Sequence, residues 1–203
     1  MIQGLKIVLS VFFITLIGSM ILGVIVAFLR LSKNKLISSL AKGYILLLRG
    51  TPLLLQLIFI CFGLPILGIV FDRFIVAILA FTLNYSAYFA EIFRGGIESI
   101  DKGQYEASIV LGFDKFTMYK RIVFPQVIKR ILAPLSNEVI TLIKDTSLVY
   151  ILGINDILRI AQIASNRELS LVPLVQVGII YLILVALLTQ AFKCIEKRYS
   201  YYR

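Results

Sequence analysis

The stretch Gln104–Pro125, QYEASIVLGFDKFTMYKRIVFP, is polar and charged, yet it lies between long apolar segments. In so apolar a chain, such an insert belongs outside the bilayer. It is not Gly/Ser-rich like an ordinary loop, and it carries Tyr105, Ile109 and Phe113 at i, i+4 and i+8. On a helix these three lie on one side. An apolar helix face on the water side needs a surface to pack on. What flanks this stretch therefore decides the fold.

The flanks are those of a polytopic membrane protein. Of 203 residues, 60% are apolar and 16% charged, against about 25% charged in average soluble domains. A soluble chain of this length could not bury so much apolar surface, whereas a lipid bilayer accommodates it. The net charge of +10 is not laid out as a basic stripe interleaved with stacking aromatics, which speaks against nucleic acid. The charges sit between apolar runs, as membrane topology requires. Cys61 lies in an apolar run and Cys194 near the charged C-terminus, so both are expected as free thiols. Lys6 is followed by 23 uncharged residues, too long for a signal-peptide core, so the first span is expected to be retained.

An all-α fold with five transmembrane helices is expected in a single domain, 1–203. The spans are placed at about 7–29, 50–70, 74–94, 126–144 and 171–192, with the polar segment at 98–125. Thr51-Pro52 puts a proline near the start of the second span, where its missing N–H costs little. Gly95-Gly96 is expected to break the third helix. The fourth span carries Pro134, Asn137 and Glu138 and is followed by Lys144-Asp145-Thr146-Ser147. Beyond it lie a short apolar piece, Leu148–Ile154, and a polar, partly helical segment up to Ser170.

Five spans put the termini on opposite sides. With the N-terminus outside, the segments Arg30–Arg49, Arg94–Arg130 and the tail from Lys193 to Arg203 are cytoplasmic, and they hold 16 of the 21 basic residues. The reverse orientation would export them, against the positive-inside rule. The Gln104–Pro125 stretch is therefore expected in the cytoplasm.

Several blocks then carry a family resemblance. Glu106-Ala107-Ser108, three residues, Gly112, nine residues and Ile122-Val123-Phe124-Pro125 resemble the EAA motif of bacterial ABC-importer membrane subunits, with Ser108 and Phe124 as mild departures. Arg49-Gly50-Thr51-Pro52 followed by Gln56, the block Ala90-Glu91 to Arg94-Gly95-Gly96-Ile97, Gly103-Gln104-Tyr105-Glu106-Ala107 and Lys144-Asp145-Thr146-Ser147-Leu148 resemble the polar amino-acid ABC permease family over nearly the whole chain. The resemblance implies a type I ABC-importer permease in the bacterial inner or plasma membrane. It also implies a second permease, identical or paralogous, a pair of ABC ATPase subunits, an extracellular solute-binding protein and a polar amino acid as cargo. Gln104, Tyr105, Glu106, Ala107, Ser108, Ile109, Gly112 and Phe113 would form the coupling helix and its turn in the ATPase groove. Packing on the chain's own transmembrane helices is the alternative. No G-x-x-x-x-G-K-[ST] occurs, so no cofactor is expected in this chain, and ATP and Mg would sit on the partner ATPase. No His occurs either, which excludes a His-based catalytic triad, and the chain is read as a transport subunit rather than an enzyme.

Ionisable groups at membrane depth cost about 2.5–3.5 kcal/mol on insertion scales and mark function by default. Glu91, Arg94 and Glu138 are the candidates, joined by Gln56, Tyr85, Ser86 and Tyr88. Glu91 is suited to an ammonium group, and Thr146, Ser147 and free N–H groups at a helix break to a carboxylate. Each has a structural alternative: an i, i+3 pair with Arg94 for Glu91, and interhelical hydrogen bonds or packing for Glu138, Gln56 and the tyrosines. An ATP-independent channel or secondary transporter is the competing class, and a cystine- or opine-type solute the competing cargo.

Overall fold

The computed structural model describes residues 1–199, and among them α-helices account for nearly all the regular structure, with no strand. Arg203, counted above with the basic tail, lies outside the described residues. Helix α1 is Ile2–Arg30 and α4 is Arg73–Glu98. These two form the most extensive packing among the described residues. Small residues let the backbones approach, as is usual between membrane helices. At Gly23 a Cβ would lie 2.8 Å from the Phe89 Cβ and 3.2 Å from the Ser86 carbonyl oxygen. On α4, Phe81, Tyr85 and Phe89 recur every four residues and are buried. They pack with Val8, Val11 and Phe12 of α1 and with Leu142 and Ile143 further along the chain.

Among the described residues, three helices are long and apolar enough to cross a membrane: α1, α4 and α9, Val172–Tyr199. Two bent pairs raise the number to five if each pair is one span. The first pair is α2, Lys35–Gly50, and α3, Leu53–Ile66, with a bend of 102° between them. The basic stretch after Arg30 is thus a helix packed on α1 and α4 rather than a connection. Pro52 sits just before α3. With 14 residues, α3 is about 21 Å long at the usual rise, less than the ~30 Å hydrocarbon thickness.

The second pair centres on α7, Phe124–Asp145. A 3₁₀ segment, Thr146–Leu152, prolongs it, and α8, Ile157–Glu168, follows with a bend of 58°. Gly153 sits between them at φ 77°. The Asp156 carboxylate accepts the Leu158 and Arg159 N–H groups at the start of α8.

Gly95-Gly96 does not break the third helix: α4 runs through both residues to Glu98. Gly96 serves packing instead. It is buried, and a Cβ there would run into the Ile131 side chain of α7. Two adjacent glycines weaken a helix, but the close approach of α7 offsets that weakness. Both cysteines are free.

Candidate functional site

Two regions bring candidate functional residues together. The first is a cavity of about 530 Å³ between α2, α3, α4 and α7. Helix α7 contributes Glu138, Thr141 and Asp145, at i, i+3 and i+7 on one face. Helix α4 contributes Asn84, Tyr85 and Tyr88, and the α2–α3 break contributes Arg49 to Leu53. The Tyr85 hydroxyl donates to Asp145 Oδ2 at 2.7 Å, which fixes one carboxylate oxygen. The Arg49 guanidinium lies 5.0 Å from the centre of the Tyr88 ring.

A broken helix leaves carbonyls without partners, and here side chains take them up. Gln56 donates to the Leu48 carbonyl at 2.9 Å and to Thr51 Oγ1 at 2.7 Å. Asn84 donates to the same Leu48 carbonyl at 2.9 Å and to Gln56 Oε1 at 3.0 Å. Gln56 therefore holds the break in shape, and its amide is turned to the backbone.

Of the residues expected along the path, Tyr85, Tyr88 and Glu138 meet at this cavity. Glu91 and Arg94 lie beside it, as an ion pair. Arg94 Nε and Nη2 donate to the two Glu91 oxygens at 2.9 and 2.7 Å, and Arg94 also pairs with Glu98. Ser86 is buried and shares a 2.6 Å hydrogen bond with the Tyr44 hydroxyl. Thr146 is buried, and its hydroxyl donates to the Ile143 carbonyl at 2.7 Å. Ser147, half-buried, follows it in the 3₁₀ segment. Arg49, Asn84, Thr141 and Asp145 were not singled out as site residues from sequence. Asp145 could have been found there, seven residues after Glu138 with Thr141 between them.

The second region is the polar insert. Helix α5, Lys102–Val110, starts at Asp101, whose Oδ1 accepts the Gly103 N–H at 2.6 Å. Helix α6, Lys115–Met118, starts at Asp114, whose carboxylate accepts the Thr117 hydroxyl at 2.6 Å and the Phe116 N–H at 3.0 Å. These bonds, the Thr117 hydroxyl foremost, hold the Asp114 carboxyl below the usual carboxylate range. Between the helices, Gly112 has φ 75°, a left-handed turn that suits glycine. A π-helical turn, Tyr119–Val123, leads into α7.

The three-residue stripe does not act as one face. Tyr105 is half-buried against the chain itself, edge-on to the Tyr119 ring at 6.3 Å between centres. It joins a small core with Ile100, Met118 and Val123. Burial there raises the Tyr105 hydroxyl pKa. Phe113 lies beyond the end of α5, so it cannot continue the stripe. Ser108 is buried under the helix with its hydroxyl on the Gln104 carbonyl at 2.6 Å. Gln104 accepts from Gln126 at 3.1 Å. Glu106 and Ala107 are exposed. The outward apolar surface is formed by Ile109, Val110, Leu111, Phe113 and Phe116, with Val110 at 87% exposure.

Long apolar helices packed around a polar, carboxylate-bearing cavity are the architecture expected of a membrane transport component. The chain belongs to the family of binding-protein-dependent transport system inner membrane components, matched over residues 19–201. It is 39% identical over 198 residues to the arginine transport system permease protein ArtQ of Bacillus subtilis (strain 168), covering 97% of this chain and 90% of that one. It is 38% identical over 199 residues to the putative glutamine transport system permease protein GlnP of Rickettsia conorii (strain ATCC VR-613 / Malish 7), covering 97% and 91%. The crystal structure of an amino acid ABC transporter with histidines superposes with a TM-score of 0.89 at 33% identity, covering 97% of this chain and 92% of that one. The fold is that of a type I ABC-importer permease, and the chain is a multi-pass membrane permease subunit of an ABC importer.

Proposed function

We propose that the chain lines the pathway for a polar amino acid and draws its energy from a separate ATPase docked on Glu106–Phe113. The cavity carries this reading. Its lining holds two carboxylates, Glu138 and Asp145, together with a guanidinium, Arg49. A zwitterion needs both signs, anions for its ammonium group and donors for its carboxylate. The relatives named for arginine and glutamine transport support a polar amino acid as cargo. The lack of a P-loop sequence supports ATP and Mg on the partner subunit rather than on this chain.

Two such permeases, identical or paralogous, would enclose the pathway, with a solute-binding protein delivering the cargo from outside. The N-terminus lies outside and the C-terminus in the cytoplasm, which keeps the basic segments inside. ATP binding favours one conformation of the pair through differential affinity, and hydrolysis releases it.

The test is reconstitution with the ATPase and binding protein, and measurement of amino-acid-stimulated ATP hydrolysis. Glu138→Gln and Asp145→Asn should each raise the half-maximal amino-acid concentration by about tenfold or more, as expected for loss of one charged hydrogen bond. Unchanged stimulation in both variants would remove the substrate from this cavity.

A further inference from the structure

A second cavity, of about 430 Å³, adjoins the first on the side of the Glu98 end of α4. Arg30, Lys42 and Glu91 line it, and it shares Arg49, Gly50 and Tyr88 with the first cavity. These three residues are therefore the wall between the two spaces. The only side chains in that wall are a stacked pair, the Arg49 guanidinium 5.0 Å from the Tyr88 ring centre.

How firmly each part of the wall is held differs. Glu91 is fixed by two hydrogen bonds from Arg94, and Arg94 by Glu98 in turn. Tyr88 is carried on α4 within the aromatic run, its ring 6.1 Å from that of Tyr85. Arg49 is held more loosely. Its side chain is 42% exposed and stands 3.9 Å from Glu91, and among the described residues it makes no side-chain hydrogen bond. It is the next-to-last residue of α2, directly before the 102° bend at Thr51–Pro52. The backbone there is pinned at the Leu48 carbonyl by Gln56 and Asn84, so the Arg49 side chain can swing about its own bonds while α2 and α4 stay in place. The cavity on its other side holds Glu138 and Asp145 as alternative partners for the guanidinium.

We propose that Arg49 is the movable partition of the pathway. Stacked on Tyr88 and drawn to Glu91, it separates the substrate cavity from the second cavity. Swung off Tyr88, it joins them. Glu91 then acts as the latch, held in place by Arg94, which accounts for an ion pair beside the cavity rather than in it. The inference rests on the transport reading above, because it takes the second cavity as the cytoplasmic exit.

The test reads accessibility rather than transport. Thr141 lines the first cavity only, so Thr141→Cys, in a chain with Cys61→Ser and Cys194→Ser, reports on it. The full importer is reconstituted in inside-out vesicles and labelled with a membrane-impermeant maleimide from the cytoplasmic face. Arg49→Ala should speed labelling by about tenfold, the combined effect of losing a stacked cation and an ion pair. Glu91→Gln leaves Arg49 in place and should speed labelling by about threefold. Arg49→Lys, which keeps the charge without the planar stack, should fall between the parent and Arg49→Ala. Labelling within about twofold of the parent in both Arg49→Ala and Glu91→Gln would overturn the partition. Amino-acid-stimulated ATP hydrolysis in the parent vesicles is read separately, and its absence would count against the transport reading instead.

Discussion

The cavity and the polar insert are built on opposite terms. The insert is local. Its two short helices are each started by an aspartate two residues from the N–H it accepts, and a glycine at φ 75° makes the turn between them. It turns apolar side chains outward. The cavity is assembled from residues up to 96 positions apart, Arg49 to Asp145, and turns polar side chains inward. A contiguous stretch can present a docking surface with few long-range contacts. A polar site at membrane depth needs several helices to close around it, because each group without a partner there is costly. The difference teaches that the two regions should respond to substitution in different ways.

The largest effect is expected at the outward knob. Val110→Asp or Leu111→Asp places a charge at the centre of the apolar surface. Each should lower ATP-driven uptake by about 30-fold or more, as loss of an interface anchor does. Membrane insertion should be unchanged, since neither residue is buried in the chain. Normal uptake by both variants, with the ATPase present, would sink the docking assignment and return the segment to a structural role.

A smaller effect, on stability rather than coupling, is expected where α4 meets α7. Gly96→Leu forces a side chain into the space of Ile131 and should cost about 1–3 kcal/mol through overpacking. The neighbouring Gly95→Ala faces open space and should be neutral or slightly stabilising. Thermal unfolding of the detergent-purified protein separates the two. Equal melting temperatures for the pair would mean that α4 and α7 can part at no cost.

The smallest effect is expected at the start of α6. Hydrogen bonds, led by that from Thr117, lower the pKa of the Asp114 carboxyl. A depressed pKa gives a contribution that is complete above the ordinary aspartate value of about 3.9 and fades as pH falls through the lower folded value. Limited proteolysis of the α5–α6 turn should therefore be slow at neutral pH and quicken only in strong acid. Asp114→Ala should quicken it at every pH, whereas Asp114→Asn keeps an accepting oxygen and should lose most of the acid dependence. An Asp114→Ala turn as resistant as the parent would show that the cap is not needed there.

The sequence was most legible where its signals are local. The apolar runs, the charge-poor composition and the spacing from Glu106 through Gly112 to Pro125 pointed to an all-helical membrane permease, and Gly112 to a tight turn. It was least legible where the meaning of a residue depends on a distant neighbour. Gly95-Gly96 reads as a helix break because glycine is a poor helix former. Only the approach of Ile131, 35 positions further on, shows that Gly96 is a packing notch. Tyr105 reads as part of an outward stripe until Tyr119 covers it.

By itself the sequence determined the class of molecule and its membrane character, because hydropathy, charge count and short-range spacing depend on residues close together in the chain. The tertiary structure alone decided which charges converge. Arg49 reads in the sequence as one more positive charge at the membrane edge, and Asp145 as part of a polar link. They line one cavity because α2 breaks at Thr51–Pro52 and the Glu138–Asp145 face of α7 lies beside α4. That convergence is a matter of helix packing in three dimensions, which no periodicity along the chain records.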